Sequence, residues 1–163
     1  MSTISDLRRI LGSCRTIAVV GLSPQWHRPS FFAAKYMQSH GYRIVPVNPG
    51  AKEILGERCY PSVTAASQAL AAEGVKIDMV DCFRRSEDIP PLADEAIAIG
   101  ARCLWLQLGV VHEASAAKAR EAGLDVVMDR CVKIEHARLF GGLNWAGVNT
   151  RVISSRRPQQ LPY

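Results

Sequence analysis

A stretch near the amino terminus of the 163-residue chain contains residue types that bind phosphate. An apolar run at residues 17–20 is followed by Gly21, which allows a sharp turn, and then by the hydroxyl of Ser23. Arg28 and Ser30 stand where a helix pattern begins. This order of strand, glycine turn and helix N-terminus places backbone N–H groups where they bind phosphate well. We therefore predict a pyrophosphate site here, with an ordinary strand-to-helix turn and a solvated arginine as the alternative.

The end of a second apolar run, at residues 42–47, carries an amide and a nearby ammonium group. Asn48 and Pro49 form a rigid turn there, and Lys52 follows closely. Because this end has no carboxylate to repel an anion, it could hold an adenosine ribose that carries a phosphate. A solvated surface lysine is an equally open interpretation of Lys52.

Two adjacent arginines follow a third apolar run. Arg84 and Arg85 come directly after Phe83, and neighbouring positive charges repel each other unless an anion or an acid lies near. We predict that Arg84, Arg85 or both bind phosphate, with Phe83 beside an adenine ring or a pantetheine arm. The alternative is that the arginines pair with Glu87 and Asp88 on the next turn.

The fourth apolar run leads to Gln107, with Gly109 two positions later. Gln107 is the polar side chain expected to face a ligand crevice, and Gly109 permits a close backbone approach. Trp105 lies two residues before Gln107 on the same face of the strand and is expected in the core. A purely structural Gln107 is the alternative to a role in binding.

The glycine turn does not match the fingerprint of dinucleotide sites. Only Gly21 of a G-x-G-x-x-G pattern is present, and the second run ends in Asn48 where an NAD site needs an acid for the ribose hydroxyls. Both differences disfavour NAD.

Hydrophobic periodicity places these residues at the ends of parallel strands. Five apolar runs alternate with segments of helical periodicity, which is typical of a sheet with helices on both faces. The pattern predicts an α/β, Rossmann-like, doubly wound parallel five-stranded sheet with the strand order 3-2-1-4-5. Ligands would then bind outside the carboxyl ends, at the switch between the first and fourth strands. The predicted strands are residues 16–20, 42–47, 77–83, 103–108 and 124–128.

The length and the pattern predict a single domain at residues 1–140. From residue 141 to residue 163 the periodicity ends, and we expect an irregular or loosely docked extension. The predicted helices are residues 2–11, 28–40, 62–72, 86–99, 112–122 and 131–139.

Charge and composition narrow the class of protein. The formal net charge of +5 permits an anionic ligand, but the basic residues form no stripe of the kind that binds nucleic acid. No apolar run approaches the ~20 residues of a membrane span, and residues 1–15 lack a secretory signal. The five cysteines contain no C-x-x-C and are expected to be buried, reduced thiols. We therefore expect a cytoplasmic protein.

Few residues have the character of catalytic groups. Cys131 follows the fifth strand beside Arg130, where a thiol with a lowered pKa could form a mixed disulfide, although a half-buried structural cysteine is favoured. Glu135 and His136 occupy adjacent helical positions, which point apart and form no dyad. His27 lies in the phosphate loop and could donate to an anion. Without a nucleophile and its base, a binding protein is favoured over an enzyme.

Five blocks of sequence, in order, resemble the small single-domain CoA-binding proteins of bacteria and archaea. The resemblance spans residues 5–140 and includes Gly-Leu-Ser-Pro from Gly21, Val-Asn-Pro from Val47, and Trp-Leu-Gln-Leu-Gly from Trp105. This family is similar to the N-terminal CoA-binding domain of the succinyl-CoA synthetase α subunit and has a Rossmann-like fold. The synthetase's phosphohistidine belongs to a second domain, and none of the four histidines here sits in a comparable loop, so ligase activity is not expected of this chain alone.

The resemblance also implies a role for each matching strand end. Residues 21–23 and 28–30 would take the CoA pyrophosphate. Asn48, Pro49 and Lys52 would lie near the adenosine and its 3′-phosphate, and residues 83–85 and 107–109 would line the rest of the groove. The predicted ligand-binding residues are Gly21, Leu22, Ser23, Arg28, Pro29, Ser30, Asn48, Pro49, Lys52, Phe83, Arg84, Arg85, Gln107 and Gly109.

Three functions follow as hypotheses. The first is a non-catalytic module that binds CoA or acyl-CoA. The second is a subunit of a CoA-dependent ligase or transferase that needs a partner chain. The third, which the missing glycines and acid disfavour, is an NAD(P)-binding module. A protein partner or a homo-oligomer is compatible with each.

Overall fold

The computed structural model describes residues 1–141, in which helices cover both faces of a parallel sheet. Strands and helices alternate as the sequence predicts. In chain order the elements are α1 (Ile4–Ser13), β1 (Thr16–Val20), α2 (Pro29–Ser39), β2 (Arg43–Val47), β3 (Glu53–Ile54), β4 (Glu57–Arg58), α3 (Val63–Ala71), β5 (Met79–Cys82), a 3₁₀ turn (Ser86–Asp88), α4 (Ile89–Ala98), β6 (Cys103–Leu106), α5 (Glu113–Glu121), β7 (Asp125–Val127) and α6 (Val132–Phe140).

Two apolar cores, one on each face of the sheet, hold the helices in place. Helices α3, α4 and α5 pack on one face through residues such as Leu70 and Ala93. Helices α1, α2 and α6 pack on the other through residues such as Ile10, Met37 and Val132. All residues of β1, β5 and β6 are buried, as expected for strands covered on both sides. The predicted Rossmann-like α/β class is confirmed.

The predicted strand order is wrong. The sheet runs β2-β1-β5-β6-β7, which is 2-1-3-4-5 in the numbering of the five predicted strands. Both orders satisfy the rule that parallel crossovers are right-handed, so the alternation of elements alone does not separate them. The switch point therefore lies between β1 and β5, and not between the first and fourth strands.

Pro46 gives the physical reason for this order. Proline has no N–H to donate, so it is confined to the edges of sheets, and β2 contains Pro46 and forms an edge. On the side away from β1, the Pro46 carbonyl accepts a hydrogen bond from the Tyr60 N–H at 3.0 Å. The hairpin of β3 and β4 precedes Tyr60 and occupies residues for which the sequence predicted neither a strand nor a helix.

Asp78 connects β5 to the start of β1 at the amino end of the sheet. Its carboxylate accepts hydrogen bonds from the Arg15 and Thr16 backbone N–H groups at 2.8 and 3.0 Å. The Asp78 N–H donates to the Thr16 carbonyl at 2.9 Å. These bonds fix β5 beside β1, at the end of the sheet opposite the predicted site.

The predicted extension lies almost wholly outside the described residues. Helix α6 ends at Phe140 and its cap is Gly141, so residues 142–163 and the domain division at residue 140 stay a prediction. Among residues 1–141, no helix is long and apolar enough to cross a membrane.

We predict that Asp78→Ala lowers the free energy of unfolding by about 2 to 3 kcal/mol, because two backbone donors lose a charged acceptor. Urea denaturation measures this change. The matched control is Asp94→Ala, since the Asp94–Lys118 ion pair is largely exposed and should contribute less than about 1 kcal/mol. Equal losses in the two variants would contradict the role given to Asp78.

Candidate functional site

A cavity of about 690 Å³ opens at the carboxyl ends of β1, β5 and β6. It lies at the switch point, where the chain leaves β1 and β5 toward opposite faces of the sheet, and this is where α/β proteins of this type bind ligands. The lining residues are Gly21, Ser23, Gln25, Arg28, Pro29, Ser30, Phe83, Arg84, Arg85, Asp88, Gln107, Leu108 and Val110.

The turn after β1 requires a glycine for two reasons. Gly21 has a φ of +82°, a backbone conformation that favours glycine. A Cβ on this residue would stand 2.4 Å from the Phe83 carbonyl oxygen. The loops that follow β1 and β5 therefore touch through their backbones at the floor of the cavity.

Serine hydroxyls hold the loop between Gly21 and α2. The buried Ser30 Oγ accepts a hydrogen bond from the Ser23 N–H at 3.0 Å. The Ser23 Oγ accepts one from the Gln25 N–H at 3.1 Å. Both hydroxyls, predicted as ligand contacts, thus also shape the loop, and each keeps its own O–H free to donate.

The N-terminus of α2 points backbone donors at the cavity. Arg28 is the N-cap residue and makes no side-chain cap, and Pro29 occupies the first turn. The first N–H groups of a helix have no partner within the helix and carry its positive dipole end. The Arg28 guanidinium lies at the same place, held by a bond from its Nε to Gln25 Oε1 at 3.2 Å.

The two adjacent arginines have different surroundings. Arg85 forms ion pairs with Glu87 and Asp88, both at 3.4 Å, which is the alternative that the sequence offered. Arg84 makes no ion pair or side-chain hydrogen bond with any residue from 1 to 141. Its Nε lies 3.4 Å from the position of a Cβ on Gly21. The unpaired guanidinium therefore lies above the glycine turn.

Five of the predicted ligand-binding residues do not line the cavity: Leu22, Asn48, Pro49, Lys52 and Gly109. Leu22 is fully buried in the core. The Asn48 amide is used in the fold, since it donates to the Leu22 carbonyl at 2.9 Å and accepts from the Gly50 N–H at 2.8 Å. The Gly109 N–H donates to Asp129 Oδ1 at 2.7 Å, while Pro49 and Lys52 are exposed.

Gln107 lines the cavity and also belongs to a buried polar network. Its Nε2 donates to Asp81 Oδ1 at 2.5 Å, and its Oε1 accepts from the Val132 N–H at 3.3 Å. Asp81 is 1% exposed, and burial raises the pKa of its carboxyl to about 7, an effect that the Gln107 hydrogen bond partly opposes. The structural and binding interpretations of Gln107 are therefore compatible.

The sequence prediction missed Asp81, although a signal was present. An acidic residue inside an otherwise apolar strand, covered on both faces, must be neutralised or hydrogen-bonded. Asp81 pairs in register with Trp105, two residues before Gln107. The alternation of side chains along β6 then places Gln107 on the face of the sheet that Asp81 occupies.

The thiol of Cys131 does not have the lowered pKa that its position suggested. Burial raises the pKa of Cys131, outweighing the hydrogen bonds from the backbone of Ile134 and Lys133. A raised pKa opposes formation of the reactive thiolate at neutral pH. All five cysteines are free, and Cys14, Cys59, Cys82 and Cys103 are buried.

The remaining candidates for chemistry are separated in space. Glu135 pairs with Arg130 at 3.2 Å and with Arg138 at 2.5 Å, whereas His136 Nδ1 lies 3.0 Å from the Tyr36 hydroxyl. Glu135 and His136 thus have different partners. His27 is exposed in the loop before α2, and within residues 1–141 no group of three or more His, Cys, Asp or Glu residues is arranged to hold a metal ion.

The fold and the cavity at its switch point define a Rossmann-like α/β domain with a candidate ligand site at its strand ends. The chain belongs to the CoA binding domain family, whose match covers residues 15–137. The resemblance seen in the sequence is thereby confirmed.

The chain is also similar to individual proteins and solved structures. The uncharacterized protein YneT of Bacillus subtilis is 41% identical over 133 residues, which cover 82% of this chain and 93% of YneT. A solved structure of a hypothetical protein from Pyrococcus horikoshii OT3 is 38% identical, with a TM-score of 0.78 over 86% of this chain and 94% of that one. An ADP-forming acetate–CoA ligase of Archaeoglobus fulgidus is 38% identical over 63 residues, 37% of this chain and 9% of the ligase.

We predict that Gly21→Ala destabilises the protein more than Gly109→Ala does. Both glycines have positive φ values, which cost a residue with a Cβ about 1 to 2 kcal/mol. Of the two, only the Cβ at Gly21 would also collide with backbone, because no atom of residues 1–141 lies within 4 Å of a Cβ at Gly109. Urea midpoints compare the variants, and equal midpoints would refute the backbone contact as a constraint.

The raised pKa of Asp81 predicts a pH dependence of stability. Because the folded-state pKa of about 7 exceeds the ordinary value of 3.8, the folded state binds this proton more tightly than the unfolded state does. The contribution of this proton to the free energy of unfolding is complete below about pH 4 and is lost as the pH rises through 7. Between pH 4 and pH 8, the free energy of unfolding of wild type should fall by roughly 4 kcal/mol relative to that of Asp81→Asn.

Chemical denaturation at several pH values measures this difference. Asp94→Asn is the control, because its carboxylate is on the surface and paired with Lys118. A pH-independent difference between wild type and Asp81→Asn would contradict the perturbed carboxyl.

Proposed function

We propose that this chain binds coenzyme A or an acyl-CoA in the cavity at the carboxyl ends of β1, β5 and β6, as a non-catalytic binding module. The observation that carries the proposal is the unpaired Arg84 guanidinium above Gly21, next to the N-terminus of α2, which has no side-chain cap. Membership of the CoA binding domain family supports the choice of ligand.

The anionic end of CoA suits this part of the cavity. A pyrophosphate needs several N–H donors and positive charge, which the first turn of α2, Arg28 and Arg84 together supply. The O–H groups of Ser23 and Ser30 add two donors at the same loop. Positive charge from three sources thus converges on one place.

Apolar side chains also line the cavity. These are Phe83, Leu108 and Val110, and Leu108 is 54% exposed. An aliphatic pantetheine arm would cover this surface, with a gain proportional to the apolar area removed from water. A cavity lined by both basic and apolar side chains matches CoA better than inorganic phosphate.

The end of β2 argues against NAD. Asn48, and not an acid, directly follows β2, and both ends of its amide are engaged with Leu22 and Gly50. For CoA, we assign the adenosine and its 3′-phosphate to the surface near Asn48, Pro49 and Lys52. The exposed Lys52 ammonium supports this assignment, since it has no ion pair among residues 1–141.

A second candidate is a CoA-presenting subunit that acts with a partner chain. The similarity to part of an ADP-forming acetate–CoA ligase favours it. A non-catalytic module should form no acetyl-CoA when the chain alone is supplied with acetate, ATP and CoA. Formation of the thioester would overturn that interpretation.

We also assign the chain to the cytoplasm, which its five free thiols support.

We predict that Arg84→Ala weakens CoA binding about tenfold or more, which corresponds to the loss of hydrogen bonds between charged groups. Arg85→Ala is the matched control, because Arg85 is already paired with Glu87 and Asp88. Isothermal titration calorimetry at fixed salt measures both affinities. Equal affinities for the two variants would remove Arg84 from the site.

A thermal-shift panel with CoA, acetyl-CoA, NAD, NADP and ATP tests the identity of the ligand. CoA or acetyl-CoA should stabilise the protein most, since binding to the folded state raises the melting temperature. Stabilisation by NAD alone would overturn the proposed function.

A further inference from the structure

We infer that Gln107 is a specificity-determining residue that binds an amide of the ligand's pantetheine arm, and that the buried Asp81 and the N-terminus of α6 orient it for this contact. The inference rests on the proposed function, since it assumes that CoA occupies the cavity. It assigns a role to a buried network that the pyrophosphate site does not use.

The Gln107 side chain has capacity left after its protein contacts. A glutamine amide has two N–H donors and two acceptor lone pairs. One N–H goes to Asp81 and one lone pair accepts from the Val132 N–H. In residues 1–141 no other group bonds to this amide. One donor and one acceptor therefore remain on a residue that lines the cavity.

The two protein partners allow only one orientation of the amide. The Val132 backbone N–H can only donate, so the Gln107 oxygen must face α6. The Gln107 nitrogen then faces Asp81, whose oxygen accepts from it. A flipped amide would place two donors together at Val132, and leaving a buried donor unsatisfied costs about 1 to 3 kcal/mol.

The remaining N–H of Gln107 can donate to the carbonyl of a secondary amide, or its remaining lone pair can accept from the amide N–H. The pantetheine arm contains two secondary amides in an otherwise aliphatic chain, and each presents one N–H and one carbonyl. Sites built to hydrogen-bond such a group discriminate strongly against ligands that lack it, because their own polar groups would be left unpaired. Adenine nucleotides without the arm offer no such amide.

The position of Gln107 in the sheet fits this role. The phosphate-binding turn follows β1 and Gln107 follows β6, with β5 between them. Two strand spacings, about 10 Å, therefore separate the anionic end from Gln107. Phe83, Leu108 and Val110 line the same cavity. The arm would thus pass over apolar side chains before its amide reaches Gln107.

The test compares two ligands on one protein. CoA and adenosine 3′-phosphate 5′-diphosphate, which is CoA without its arm, are titrated calorimetrically into wild type and Gln107→Leu. The variant should lose about tenfold in affinity for CoA, as expected for one or two hydrogen bonds, and keep its affinity for the truncated ligand. The ratio of the two affinities is read, because a partly unfolded sample lowers both equally.

Gln25→Leu is the matched control. Gln25 also lines the cavity, but its Oε1 contacts Arg28 at the phosphate end. Its loss should change both affinities by the same factor and leave the ratio unchanged. A ratio that falls as much in Gln25→Leu as in Gln107→Leu would overturn the inference.

The Gln107→Leu variant also removes the hydrogen-bond partner of Asp81. A second measurement therefore uses wild type alone. In ¹⁵N-labelled wild type, the side-chain NH₂ signal of Gln107 should shift with CoA and stay in place with the truncated ligand. Identical responses to the two ligands would overturn the inference, as would an unchanged affinity ratio in Gln107→Leu. If wild type binds neither ligand, the proposed function itself fails, which is a separate result.

Discussion

The backbone contact between the loops after β1 and β5 is the constraint on which the rest of the site depends. The Phe83 N–H donates to the Val20 carbonyl at 2.9 Å, and the Phe83 oxygen occupies the space that a Cβ on Gly21 would need. Because the loops are this close, Arg84 lies above the glycine turn and lines the same cavity as the N-terminus of α2. A wider separation of β1 and β5 would leave the helix N-terminus and the arginine in different places.

Local pattern was enough to predict the elements but not their neighbours in the sheet. Apolar runs and helical periodicity located β1 and α2 to within a residue or two, because burial acts along short segments. Strand order depends on which long-range pairs form, and two orders obey the same crossover rule. Pro46 carried the missing information, since a residue without an N–H is poorly suited to the interior of a sheet.

Among the residues of the candidate site, too, those that depend on local sequence were predictable and those that depend on contacts between distant segments were not. Gly21, Arg28 and Ser30 could be predicted because strand, turn and helix are adjacent in sequence. The difference between Arg84 and Arg85 could not, because it depends on which side chain the turn at Ser86–Asp88 brings to Glu87 and Asp88. Asp81 was overlooked because its partner comes from a neighbouring strand 26 residues away. Its place in a covered strand nevertheless marks it as a residue that needs such a partner.

The arrangement of polar anchors along the sheet bears on how this domain evolves. Asp78 secures the pairing of β1 with β5 at the amino end, while the cavity lies at the opposite end. Substitutions, insertions or fusions at the loops around the cavity therefore leave in place the bonds that fix β5 beside β1. This separation of the fold-determining bonds from the cavity suits a fold that is shared by short chains such as YneT and, in part, by a much longer ligase.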